Sequence, residues 1–90
     1  MRVEWDENKR EAVLRRRGVD LARAALVLAG DTLIKEDRRH AYGETRWTAT
    51  GKYKEEYYTI VYTKRGDTFR VITAWGAGRR ERRRHQERYG

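Results

Sequence analysis

Residues 68–84 read TFRVITAWGAGRRERRR, and this stretch decides the fold. Thr68 to Trp75 alternates in the manner of a strand, Gly76 and Gly78 bend the chain, and a helix built mostly of arginine follows. A strand that exposes Arg70 on one pleat, followed by an arginine-rich helix beside it, gathers guanidinium groups on one patch of surface. Guanidinium suits phosphate because it stays charged, presents paired planar donors and sheds water more readily than an ammonium group. The two glycines read as a bend and not as a phosphate loop, because no Lys-Ser/Thr follows them.

Working back from this stretch, the turn-forming Lys64-Arg-Gly-Asp67 precedes the last strand, and Tyr57 to Thr63 (YYTIVYT) is the most strand-like segment of the chain. Gly51 to Glu56 is expected to form the hairpin loop before it, with Thr45 to Thr50 and Thr32 to Glu36 as earlier strands and the polar residues 37–43 as a connection. Upstream, the period is helical. Asp6 is placed to cap a helix over residues 7–17 whose apolar side is Ala12, Val13 and Leu14, and Gly18 ends it. Asp20 offers a second cap, and Leu21, Ala24, Ala25 and Leu28 recur at helical spacing up to Gly30. A short alternating segment, Arg2 to Trp5, opens the chain. The order of elements predicts an α+β fold with two N-terminal helices, a C-terminal helix and an antiparallel sheet of three to five strands.

Ninety residues provide for one domain, spanning 1–90, with a modest core. Charged residues make up 40% of the chain and the formal charge is +8, which favours polyanionic partners. Residues 79–88 hold six arginines against two glutamates, so half of that excess is local to the last helix. The chain has no cysteine and no serine, which excludes disulfides, thiolate metal sites and a serine nucleophile. Two histidines and no clustered acidic triad leave no recognisable metal-ligand set, so neither metal nor cofactor is expected. No apolar run reaches membrane-spanning length and no signal-peptide pattern opens the chain, so no membrane association and a cytoplasmic location are expected.

Trp5-Asp6 with Lys9, the helix break at Gly18-Val19, Gly43-Glu-Thr-Arg46, Gly51, Val61-Tyr-Thr-Lys-Arg-Gly66, Arg70-Val-Ile-Thr-Ala-Trp75 and Arg79-Arg-Glu-Arg82 occur in order along the chain. This ordered set resembles the BrnT family of bacterial toxins over nearly its whole length. Arg17 stands where that family often has a histidine, and Thr73 where it often has a serine. The resemblance implies a RelE-like fold and a ribonuclease toxin of a type II toxin-antitoxin system that inhibits translation and growth. It also implies a cognate BrnA-like antitoxin, contact with operator DNA only through that antitoxin, and a toxin-antitoxin heterotetramer.

RNA needs neither a metal nor a covalent enzyme intermediate for cleavage, because its own 2′-hydroxyl is a nucleophile beside the scissile phosphate. The protein must align that hydroxyl, stabilise the added negative charge and assist proton transfer. On this chemistry Arg70, Arg79 and Arg80 are candidates for phosphate stabilisation and Thr73 for orienting the phosphate. Arg46, Lys64, Arg65, Arg82 and Arg83 extend the basic track for RNA binding. Three readings of the general base stay open: His40, Glu44, or none, with positioning and charge supplying the acceleration. The competing account of the same residues is structural. Charge runs are commonly solvated helix faces, Glu44 and Arg46 sit at the spacing of a same-face strand pair, and a non-catalytic RNA- or partner-binding module would use the same basic surface.

Overall fold

A computed structural model describes all ninety residues. The chain forms β1 (Arg2–Trp5), α1 (Glu7–Arg17), a single helical turn α2 (Leu21–Ala24) that tightens into a 3-10 segment (Ala25–Ala29), β2 (Thr32–Asp37), β3 (Arg46–Tyr53), β4 (Glu56–Arg65), β5 (Thr68–Gly76) and α3 (Arg79–Tyr89). The five strands make one sheet in the order β1-β5-β4-β3-β2. β2 to β5 are antiparallel neighbours, as their short connections require, whereas β1 lies parallel to β5. The sheet is therefore mixed, which corrects the expectation of a purely antiparallel one. The reason is topological: two helices separate β1 from the meander, and such a crossover permits a parallel return to its far edge.

The local signals act as expected at the helix ends. The Asp6 carboxylate accepts from the amides of Asn8 and Lys9, Asp20 accepts from Ala22, and Gly18 ends α1 with φ at 70°. Of the apolar side expected for α1, only Val13 is buried, and Leu14 is exposed. In the segment that follows, the tightening to three residues per turn carries Val27 instead of Leu28 into the interior, three positions after Ala24. The core lies between these helices and one face of the sheet, where Leu21, Ala24, Val27, Ala49, Ile60 and Ala74 are fully buried.

Gly51 corrects a second expectation. It lies inside β3 and not in a hairpin loop, and the turn is confined to Lys54 and Glu55, with Lys54 at φ 56°. A Cβ on Gly51 would stand 2.8 Å from the Val27 Cβ. The glycine is there so that the 3-10 segment can rest directly on the strand.

A bulge in β5 shapes the other face of the sheet. Val61 pairs with Thr73 and Tyr62 with Val71, so Ile72 is an extra residue. In an unbroken strand Arg70 and Thr73, three apart, would point to opposite faces. With the bulge, both stand on the face away from the core, opposite Thr63 and Val61, while Val71 and Ala74 both enter the core.

Candidate nucleic-acid interface

The face away from α1 and α2 is only partly covered. α3 crosses one end of it, bound through Glu81 to Thr59, through His85 to the Asp31 carbonyl and through Tyr89 to the Thr32 carbonyl. Two rows of paired side chains run beneath and beside this helix. One is Thr73, Val61, Thr48 and Lys35; the other is Trp75, Thr59, Thr50 and Leu33. The β2–β3 loop, residues 38–45, folds back over the opposite end, so that Arg39 stands 5.6 Å over the Trp75 ring.

Between loop and helix lies a hollow of about 290 Å³ bordered by Lys35, Asp37, Arg39, Thr48, Trp75 and Glu81. A smaller extension of about 70 Å³ shares Lys35, Thr48 and Glu81 and reaches Leu33, Thr50 and Arg84. Lys35 and Arg84 have no carboxylate within ion-pair distance. Lys35 and Thr48 border both hollows, with the half-buried Trp75 indole in the larger and Arg84 in the smaller, a combination chemically suited to an anionic, aromatic-bearing chain.

The loop is held by Asp37. Its buried carboxylate accepts from Arg39 Nε at 2.8 Å, from Arg39 Nη2 at 2.9 Å and from the Tyr42 hydroxyl at 3.1 Å. The Arg39 guanidinium holds this carboxyl far below the usual carboxylate range, with the Arg39 amide and Tyr42 adding to the effect against the opposing cost of burial. Tyr42 in turn lies under the Arg46 guanidinium, 4.1 Å from it.

The residues singled out from the sequence divide among several places. Arg70 and Thr73 share the open face, and Arg70 is paired with Glu4 of β1, its register partner. About six residues of strand, at about 3.3 Å each, separate Arg70 from the start of the bend to α3. Thr73 lies in the row of Thr48 and Lys35. Arg79, Arg82 and Arg83 line a separate shallow hollow on one flank of α3 with Gln86. Arg80 precedes Arg84 by four residues and so shares the flank that looks toward Lys35 and Thr48. Arg46 is bound to Glu44 at 3.1 Å, but Glu44 lies in the loop before β3, so the pair is made by the loop and not by strand alternation. His40 stacks edge-on against Tyr42 in the loop. Lys64 lies over the Phe69 ring, on the face opposite Arg70, and Arg65 pairs with Thr68 at the end of β4 farthest from α3.

Sequence reasoning passed over Lys35, Trp75 and Arg84 as members of one site, and gave Glu81 no chemical part. The strand alternation of β2 puts Lys35 on the open face, yet only the pairing of β2 with β3 brings it beside Thr48. Arg17, at the histidine position of the resemblance, donates to the Ala74 carbonyl at 3.2 Å and stands 5.6 Å from the Trp75 ring. It covers the stretch of β5 edge that the short β1 leaves unpaired.

Fold and surface together define a small α+β protein with a helix-backed core and a basic, hydroxyl-lined open face. Residues 5–81 match the family model described as the ribonuclease toxin, BrnT, of type II toxin-antitoxin systems, and the chain belongs to this family. Family membership brings an antitoxin as its partner in such a system. No curated protein shows a significant sequence match to the chain. No helix is long and apolar enough to cross a membrane.

Proposed function

We propose that the chain is a metal-independent endoribonuclease that cleaves single-stranded RNA by attack of the 2′-hydroxyl on the adjacent phosphate, with the open face of the sheet as its active surface. The observation that supports this reading is the pair of adjoining hollows around Thr48, which share Lys35 and are bordered by Arg84 on one side and Trp75 on the other, in a member of a ribonuclease toxin family. Cations fixed beforehand around a phosphate stabilise the charge that grows on it in the transition state. Thr73, in the row of Thr48 and Lys35, orients the phosphate, and Arg80 on the same flank as Arg84 adds a guanidinium. Arg70, Arg46, Arg65, Arg79, Arg82 and Arg83 extend the basic track, Arg70 and Arg46 doing so from within ion pairs with Glu4 and Glu44. The loop anchored by Asp37 closes one end of the site.

The same reading makes the fold RelE-like, places the activity in the cytoplasm and has RNA cleavage stop translation and growth. A BrnA-like antitoxin neutralises the chain by covering the basic face with an acidic or amphipathic segment, in a toxin-antitoxin heterotetramer that reaches operator DNA through the antitoxin.

The test uses the purified full chain with end-labelled single-stranded RNA in excess EDTA. Cleavage that leaves cyclic 2′,3′-phosphate ends and stops when 2′-deoxy nucleotides replace the ribonucleotides is the expected result. RNA that remains whole on the folded protein, while binding weakens steeply with salt, would replace this reading with a non-catalytic RNA-binding module.

A further inference from the structure

Three carboxylates border the hollow: Glu36, Asp37 and Glu81. Glu36 is bonded to Arg38 at 3.0 Å, and Asp37 is gripped by Arg39 through two bonds. Glu81 has no lysine or arginine within ion-pair distance. It is fixed by neutral donors instead. Its Oε1 accepts from the Gly78 amide at 2.9 Å, and its Oε2 accepts from the Thr59 hydroxyl at 3.1 Å. Thr59 thereby gives up its only hydroxyl proton, so Thr50, 2.7 Å away, is the donor within the threonine pair. A helix cap accounts for the bond to Gly78. It does not account for the two-threonine chain that holds the other oxygen, nor for the place of Glu81 in one hollow with Lys35, Thr48 and Arg84.

We propose that Glu81 is the proton acceptor of the ribonuclease reaction, an inference that rests on the reading above. Each carboxylate oxygen engages one donor and keeps a second acceptor direction. Glu81 takes the proton of the RNA 2′-hydroxyl as the 2′-oxygen forms its bond to phosphorus. The P–O5′ bond breaks with its electron pair on O5′, which takes a proton from water, and the product strand carries the cyclic 2′,3′-phosphate. Glu81 then releases its proton to solvent. Lys35 and Arg84 flank the carboxylate and bear the charge on the phosphoryl oxygens. The acceptor is therefore neither His40 nor Glu44, whose partners are Tyr42 and Arg46.

Glu81→Gln keeps the shape and one acceptor oxygen, enough for the cap on Gly78, while its amide NH2 faces Thr59, which then accepts from it and turns its own proton to Thr50; the basic carboxylate is removed. It is expected to lower kcat roughly 10²-fold or more. KM, and affinity for a 2′-O-methyl RNA of the same sequence, should stay within about twofold. The limb of the pH–rate profile on which kcat rises with pH should disappear. Should that variant fail to fold, Glu81→Asp and Glu81→Asn make an equally shortened pair, and Asp should be active where Asn is not. Wild-type cleavage with an undiminished Gln variant, or equal activity of the Asp and Asn variants, would overturn the assignment and leave the ribonuclease reading standing. Absence of cleavage by the folded wild-type chain would overturn both.

Discussion

On the helix-covered face of the sheet the paired positions are Val71 with Tyr62, Ala74 with Ile60 and Ala49, and Gly76 with Tyr58 and Gly51. Across the same strands, the other face presents Thr73 with Val61 and Thr48, and Trp75 with Thr59 and Thr50. The backbone is shared and the chemistry is opposite. Apart from Gly76, which is exposed, the first set excludes water and closes against Leu21, Ala24 and Val27. In the second, the Thr50 and Thr59 hydroxyls are buried yet satisfied by one another and by Glu81, while Thr48 borders a hollow that stays open to solvent. On the reading proposed above, one face carries most of the stability and the other the binding chemistry, a division that substitutions can test.

The largest effect belongs to the closed face. Leu21→Ala should cost about 2–5 kcal/mol of stability in urea unfolding, since the side chain is fully buried and its neighbours are held by the sheet. The folded fraction should retain its affinity for RNA. Unchanged stability would mean that the two faces are not divided in this way.

Asp37→Asn comes next, at about 1.5–3 kcal/mol near neutral pH, because it removes the charge that Arg39 and Tyr42 bind. The sign with pH follows from the lowered carboxyl. The ionised form stabilises the fold above the unfolded-state value of about 3.9, and this contribution fades as pH falls from there toward the lower folded-state value. The stability gap between wild type and variant should thus be flat above about pH 5 and shrink below about pH 4. A gap that widened on acidification would contradict the assignment.

Smallest in stability are Lys35→Ala and Arg84→Ala, each expected within about 0.5 kcal/mol of wild type. Their effect should appear in RNA binding. For single strands each lost phosphate contact reduces the slope of log K against log salt by about 0.7. Alanine at Arg65, at the far end of β4, should change that slope less.

Much of this division could be read along the chain. Asp6, Gly18 and Asp20 mark the helix ends by local chemistry, and the alternation of Tyr57–Thr63 marks the central strand, because these signals need only neighbouring residues. The bulge at Ile72, the parallel pairing of β1 and the meeting of Lys35 with Arg84 depend on register between distant segments, which no local pattern encodes. Gly51 shows the same limit. Glycine before a polar run reads as a turn, and only the Val27 side chain above it reveals a close approach. The arginines of α3 were visible as a cluster, but helical periodicity splits them between two flanks, with Arg79, Arg82 and Arg83 on one and Arg80 and Arg84 on the other.

The most direct test of an RNA-binding open face is to follow backbone amide resonances of the full chain during titration with a 2′-O-methyl single-stranded RNA. The account predicts shifts at Lys35, Thr48, Thr73, Trp75, Glu81 and Arg84, with α1 and α2 unperturbed. Shifts confined to α1, α2 and the 3-10 segment, with the Thr48 row silent, would contradict it.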